Sequence, residues 1–300
     1  MVSLFQRAYP AATLTPGAAY WLPFRGSKLL IQENKQGSAS LSHSGERLPA
    51  FSLPERKGVA LIHASAESMA SIQPQNTLYV GNIDGIACMA CEVDENLPLT
   101  EDWSAYDLRA LFGLLDETAY GVVGYASQLL HWQRTSRYCP SCGSLNGPLG
   151  ESWGRICPQC GYTGYPPVVP AVLALVHNGE HILLSHKPGW GKRYSVFAGF
   201  VEPGESLEGC VMREVGEEAS VEVADVSYFG SQTWPFPSQL MVGFQARYTG
   251  GEPTPDLTEL DDVKWFHVDE LPDLPPQLSL SYQLVKNWAD SLRPHTETRE

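Results

Sequence analysis

The chain lacks any apolar run near the roughly 18 residues that a membrane-spanning helix needs, although 43% of its 300 residues are hydrophobic. Its first ten residues, MVSLFQRAYP, contain no apolar core of a secretory leader. A soluble, cytoplasmic protein with no membrane partner is therefore expected. Positive charge is scarce: 20 Lys and Arg stand against 34 Asp and Glu, a formal charge of −14. This argues against a sequence-blind nucleic-acid binder, whose affinity rests on cations displacing counterions from phosphates. It also means that a small anionic substrate needs divalent metal or local basic residues to be held. No disulfide framework is indicated, because the seven cysteines are odd in number and four form two Cys-x2-Cys pairs. That is the usage of reduced, metal-binding thiols. Fixed-period repeats and low-complexity tracts are also missing, which sets aside repeat architectures.

What is present is enough chain for two cores plus a small module. Residues 1–135 carry short strand-like runs at Lys28–Ile31, Val59–Ile62, Thr77–Val80 and Ile86–Cys91, punctuated by Gly, Pro, Ser and Asn. Helical spacing follows over Trp103–Leu115 and Glu117–Trp132. This part reads as a mixed α/β domain with no catalytic motif. Residues 136–167 are rich in Cys and Gly and too short to bury a core, so a staple is expected. Residues 168–300 open with two strands, Val168–Val176 and His181–Ser185, joined by an Asn178-Gly179 turn. A helix over Leu207–Glu218 follows, capped by Ser206 with Leu207, Val211 and Val215 on one face. Strands are expected at Val226–Ser231, Met241–Tyr248 and Val263–His267, a helix around Ser281–Ser291, and a frayed tail at His295–Glu300.

The staple is legible. Cys139-x2-Cys142 and Cys157-x2-Cys160 are separated by fourteen residues, and Gly143 and Gly161 follow the two pairs. Two such knuckles can meet at one tetrahedral zinc, and four thiolates leave no open position, so the ion would be structural. Cys88 and Cys91 have no second pair; on a strand they point to opposite faces, as buried small hydrophobes. Cys210 falls on the apolar side of the Leu207–Glu218 helix and reads as core.

On that helix, Glu214, Glu217 and Glu218 occupy positions i, i+3 and i+4, so three carboxylates share one face. Like charges at this spacing repel. Solvent can screen them on an exposed face, and cations can bind them in a cleft; Mg2+ and Mn2+ favour such oxygens and suit a pyrophosphate with its nucleophilic water. Glu205 at the loop-to-helix junction is a further candidate ligand, and Arg213 is placed to orient carboxylates by a bidentate contact. Downstream, Trp234 and Phe236 offer flat apolar faces for a base or nicotinamide ring, in a loop stiffened by Pro235 and Pro237.

The segment Gly199–Val221 resembles the Nudix box, G-x5-E-x7-R-E-U-x-E-E-x-G-U, meeting eight of nine fixed positions over 23 residues. Ser220 stands where the family has Gly, a position needing a left-handed conformation that costs Ser about 1 kcal/mol. Ser231–Gln239, SQTWPFPSQ, is similar to the SQPWPFPxS signature of the NADH pyrophosphatase subfamily, departing at Thr233 and Gln239. The resemblance implies an α/β (α+β) chain: a Nudix α/β/α sandwich with a mixed sheet, preceded by a zinc ribbon and an N-terminal mixed α/β domain. It implies hydrolysis of NAD(H) to NMN(H) and AMP, or of the NAD cap of RNA, with structural Zn2+ and catalytic Mg2+ or Mn2+. Tyr165 and Phe200 match a base-sandwiching pair, Glu259 a further metal ligand, and Gln232 and Ser281 substrate contacts. Arg109 matches an N-terminal residue that reaches the substrate, and a homodimer is implied. Glu217 and Glu259 both remain candidates for the general base, since clustered carboxylates titrate as a set. Two alternatives stand: a Nudix enzyme for another nucleotide diphosphate such as ADP-ribose, and a non-catalytic zinc-ribbon protein that binds nucleic acid.

Overall fold

The computed structural model describes residues 5–8, 17–32, 59, 61–150 and 152–293. The expected tail at His295–Glu300 lies outside the described residues, as does position 60 of the expected Val59–Ile62 strand. The chain divides into two compact units, Met1–Pro167 and Val168–Glu300.

The first unit is built on a mixed sheet. Its strands are β1 (Phe5–Arg7), β2 (Ala19–Arg25), β3 (Lys28–Gln32), β4 (Ile62–Ala64), β5 (Gln75–Ile83), β6 (Ile86–Glu92) and β7 (Trp103–Asp107). They run in the order β1-β5-β6-β2-β3-β7, with β4 beside β2, and β2 and β6 are parallel. Short helices α1 (Ala66–Met69) and α2 (Leu108–Leu111) accompany it, and the long α3 (Glu117–Thr135) packs on β5, β6 and β2. Met89 and Cys91 of β6 enter one core cluster with Trp21, Leu30 and Met69, while Cys88 and Ala90 alternate to the other face. Both thiols are fully buried, and burial pushes each up to about 12.

One expectation fails here. Trp103–Asp107 is a strand and not the start of a helix, because it pairs antiparallel with the whole of β3, Lys28 to Gln32. Only the single turn of α2 remains helical, held by Asp107 capping Arg109 N–H at 3.0 Å. A free sheet edge offers a ladder of backbone bonds, and that outweighs a weak local helical spacing.

The unit's last thirty residues add the hairpin of β8 (Arg155–Ile156) and β9 (Thr163–Gly164), whose connecting turn carries the second cysteine pair, Cys157 and Cys160.

In the second unit, β10 (Val169–Asn178) is central. Around it lie β11 (His181–His186), β12 (Phe197–Phe200), β13 (Val221–Trp234), β14 (Gln239–Gly251) and β15 (Asp262–His267). The order is β13-β14-β10-β11-β15 with β12 paired to β10, and β10–β14 is the parallel pair. The β10–β11 turn is closed by Gly179 at φ 59°, as Asn-Gly leads one to expect. Side-chain alternation splits β10 between two cores. Val172, Ala174 and Val176 meet Cys210, Val211, Val215 and Ala219 of α4 (Leu207–Ala219). Leu173 and Leu175 meet Leu284, Val285 and Trp288 of α5 (Leu280–Leu292). The result is a sheet sandwiched between helices, with α4 pressed against the strands that flank its own N-terminal loop.

Candidate active site and metal centre

Helix α4 begins where Ser206 accepts from Gly209 N–H at 3.0 Å and ends at Ser220, whose φ of 57° and ψ of 30° are left-handed. Ser therefore does adopt the conformation that Gly would take more cheaply. The last carbonyls of α4 are not left bare: Asp256 N–H donates to Glu218 O at 3.0 Å and Thr254 N–H to Ala219 O at 2.9 Å. This loop leads directly to Glu259.

Arg213 is the hub of the glutamate set. Its Nε and Nη2 clasp both oxygens of Glu205 at 2.7 and 2.9 Å. Nη1 donates to Glu214 and to Glu217, both at 2.9 Å, and Nη2 also reaches Phe200 O at 2.9 Å. The guanidinium holds Glu205 down to about 2. The bidentate contact expected of Arg213 is thus made with Glu205, so a metal-ligating Glu205 would have to share oxygens already taken by that clasp.

Glu214 is mostly covered, and burial raises its pKa against the pull of Arg213. Its carboxylate lies over Gly199: a Cβ there would sit 1.7 Å from Glu214 Cδ. Only glycine lets strand β12 pass beneath that carboxylate. Glu217, by contrast, is 62% exposed.

Glu218 is the outlier. Its side chain is 6% exposed, and both carboxylate oxygens are buried without a hydrogen bond of normal geometry, although the nearby Ala198 backbone lowers its pKa slightly. The nearest cation, Lys187 Nζ, stands 3.6 Å from Oε1 and 3.2 Å from Glu259 Oε2. Burial pushes Glu218 up to about 7 despite Lys187. A buried carboxylate met only by a 3.6 Å lysine contact is incompletely compensated, a cost that a closer cation or a proton removes. The Glu218 oxygens therefore fit a divalent ion, with Lys187 standing between the two carboxylates that would share it.

Lys187 was not singled out from sequence. Its one sequence cue is position, directly after strand β11. His186 beside it bonds Asp261 through Nδ1 and Gly191 O through Nε2 at 2.9 Å, and Asp261 N–H donates to His186 O at 3.1 Å. These bonds tie the Glu259 loop to β11, and the Asp261 contact raises the His186 pKa.

The four ribbon cysteines are the one set of His, Cys, Asp and Glu among the described residues whose ligand atoms all lie within 4.8 Å of one another. Cys139–Cys160 and Cys142–Cys157 Sγ separations are 3.7 and 3.5 Å. Tetrahedral thiolates on zinc at about 2.3 Å would stand about 3.8 Å apart. The knuckles are near copies: Gly143 N–H bonds Cys139 O and Gly161 N–H bonds Cys157 O, each at 2.9 Å, with glycine φ of 74° and 75°. The set fits a metal.

Residues 167–288 match the NUDIX domain family, and residues 18–132 match the family described as NADH pyrophosphatase-like rudimentary NUDIX domain. The crystal structure of a NUDIX hydrolase from Nitrosomonas europaea is 25% identical with a TM-score of 0.45, covering 52% of this chain and 91% of that one. A Pseudomonas fluorescens protein named NAD-capped RNA hydrolase NudC is 39% identical over 220 residues, 73% of this chain and 79% of the relative. Its namesake in Pseudomonas aeruginosa is 42% identical over 208 residues, 69% of this chain and 74% of the relative. The chain belongs to the NADH pyrophosphatase subfamily of the Nudix hydrolases.

The remaining expected site residues of this Nudix hydrolase fall into separate places. Phe200 is 51% exposed at the end of β12, beside Arg213. In the β13–β14 turn, Trp234 and Phe236 meet edge to face, ring centres 5.1 Å apart. Gln232 is engaged within the Nudix unit: its Nε2 donates to Leu278 O at 2.9 Å and its Oε1 accepts Leu280 N–H at 3.0 Å. This fastens β13 to the start of α5, next to Ser281. Tyr165, 58% exposed, and Arg109 on α2 belong to the first unit.

Proposed function

We propose that this Nudix hydrolase cuts the pyrophosphate bond of NAD(H) to give NMN(H) and AMP, and acts likewise on NAD-capped RNA. The observation that carries the reading is the buried, under-bonded Glu218 carboxylate, set on the Nudix helix one turn from Glu214 and sharing Lys187 with Glu259. The names and family of its relatives point to the same chemistry.

Glu214, Glu218 and Glu259 would hold Mg2+ or Mn2+. Such ions, when bound, neutralise the diphosphate oxygens and stabilise charge on the leaving phosphate. Glu217, exposed and held by Arg213 Nη1 at 2.9 Å, is proposed to take the proton from the attacking water, with Glu259 as the other candidate for that role. Arg213 and Glu205 act as the frame that fixes the carboxylates before substrate arrives. Trp234 and Phe236 present apolar faces to the base or nicotinamide, and Phe200, exposed at the end of β12, is proposed to meet the second ring. Gln232 and Ser281 complete the substrate contacts of the Nudix unit, Gln232 by holding the α5 start in place. The cysteine set would carry structural zinc within 136–167, a ribbon between an N-terminal domain (1–135) and the Nudix domain (168–300). A homodimer is proposed for the working enzyme.

The test is a panel of NADH, NAD+, ADP-ribose and NAD-capped RNA with Mg2+ or Mn2+, products identified by mass. NMNH and AMP from NADH, lost in excess EDTA, are expected, and Glu217→Gln is expected to slow turnover by roughly 100-fold or more. ADP-ribose cleavage without NADH cleavage would move the chain to another substrate class, and no cleavage of any member would end the enzymatic reading.

A further inference from the structure

The first unit contains a cleft of about 540 Å3 lined by Asn76, Gln133, Arg134, Arg137 and Arg155. Three guanidiniums gather there in a chain whose acidic residues outnumber its basic ones 34 to 20. Among the described residues one carboxylate, Glu92, is bonded to the lining: it takes Arg134 at 2.5 Å and the amide of Asn76. Among the described residues Arg155 is fixed by neutral acceptors alone. Its Nε donates to Ser136 Oγ at 2.8 Å, Nη1 to Gly147 O at 2.7 Å and Nη2 to Gln133 O at 3.5 Å. Arg137 is exposed, and among the described residues its side chain makes no hydrogen bond or ion pair. Neither of these two arginines donates to a sulfur of the neighbouring ribbon.

The three lining arginines less the Glu92 that pairs with Arg134 leave a net charge of +2 among the described residues. Gln133 adds a buried Oε1 with no partner; turning the amide over puts its NH2 group there instead, a donor suited to an anion. Guanidinium forks match phosphate oxygens two at a time, and an arginine pre-oriented by neutral carbonyls loses little freedom on binding. The volume exceeds what one phosphate fills and lies in the range of small-molecule sites.

We propose that this cleft is a phosphate-binding site in which Arg137 and Arg155 grip a phosphate of a nucleotide or RNA strand, with Gln133 as a further donor. Two sources share that chemistry: the backbone of an RNA attached to the dinucleotide, and the monophosphate of a free nucleotide. The proposal rests on the pyrophosphatase reading only for where such phosphates arise.

The test uses the full zinc-loaded chain, with Arg137→Gln and Arg137→Lys as variants, since among the described residues Arg137 bonds no other side chain. Binding of an uncapped ten-nucleotide RNA, of AMP and of inorganic phosphate is measured without Mg2+ or Mn2+, so that affinity is read apart from turnover. If RNA is the source, Arg137→Gln weakens RNA binding about tenfold and lowers its salt slope by about 0.7. Arg137→Lys keeps the slope and recovers part of the affinity. If a free nucleotide is the source, AMP binding weakens and RNA binding does not. No binding of any probe by the unaltered chain, or affinities within twofold in Arg137→Gln, overturns the proposal. NADH turnover is followed in parallel and is expected to be unchanged; its loss in Arg137→Gln would also overturn the site as separate from catalysis. Absence of NADH turnover in the unaltered chain would sink the pyrophosphatase reading alone and leave the binding result standing.

Discussion

Removing the charge from Glu218 should make the metal-free protein more stable while disabling it. In the folded chain this carboxyl titrates at about 7 in place of 4.5, chiefly because burial disfavours its ionised form. Between those values the folded state holds a proton that the unfolded state has released, so stability falls as pH rises from about 4.5 to about 7 and then levels. The gap corresponds to about 3 kcal/mol at its full extent. Glu218→Gln keeps the shape and cannot ionise. At pH 8, without Mg2+ or Mn2+, it is expected to stabilise the Nudix unit by up to about 3 kcal/mol, with the gain shrinking toward zero near pH 4.5. Hydrogen exchange at the α4 amides reads this unit by itself, which matters because a chain of two units need not unfold in one step. Added Mn2+ should reverse the ranking, since an ion that binds only the folded, ionised form stabilises the unaltered protein. A variant equal to the parent at both pH values, or weaker at pH 8, would refute the view of Glu218 as a buried charge that Lys187 compensates only in part.

Gly199→Ala places a methyl group on the Glu214 carboxylate; the side chain can swing away, so the fold should persist while metal-dependent turnover falls roughly 100-fold, measured on NADH. Ser220→Gly relieves a left-handed serine and is expected to stabilise α4 by roughly 0.5–1 kcal/mol, read by the same exchange experiment with activity unchanged. Cys157→Ser should reduce bound zinc from about one ion per chain to none, by elemental analysis, and loosen the ribbon. Loss of protection confined to 136–167 is the expected signature, and full zinc retention would remove Cys157 from the ligand set.

The Nudix half was legible because its signals are local. Asn178-Gly179 set one hairpin, Ser206 and the Leu207, Val211 and Val215 stripe set α4, and the box spacing set the glutamates. The ribbon was legible for the same reason, each knuckle being a short stretch closed by its own glycine. What escaped depends on partners distant in sequence. Trp103–Asp107 became strand β7 because β3, some seventy residues earlier, offered an edge. Lys187 matters only once Glu259 is brought opposite it, 72 residues on. Equal spacing on one helix face also concealed unequal environments. Glu217 stays in solvent while Glu218 is shut in, a difference made by packing around the helix end.

The amides of Thr254 and Asp256 that close off α4 make its final turn and the strap bearing Glu259 a single piece of main chain. The gap between the Glu218 and Glu259 carboxylates is therefore set by backbone spacing more than by side-chain choice. One inserted residue in 252–258 would widen the jaws and shift preference toward larger ions, whereas exchanging surface side chains along the same strap would leave ionic selectivity untouched.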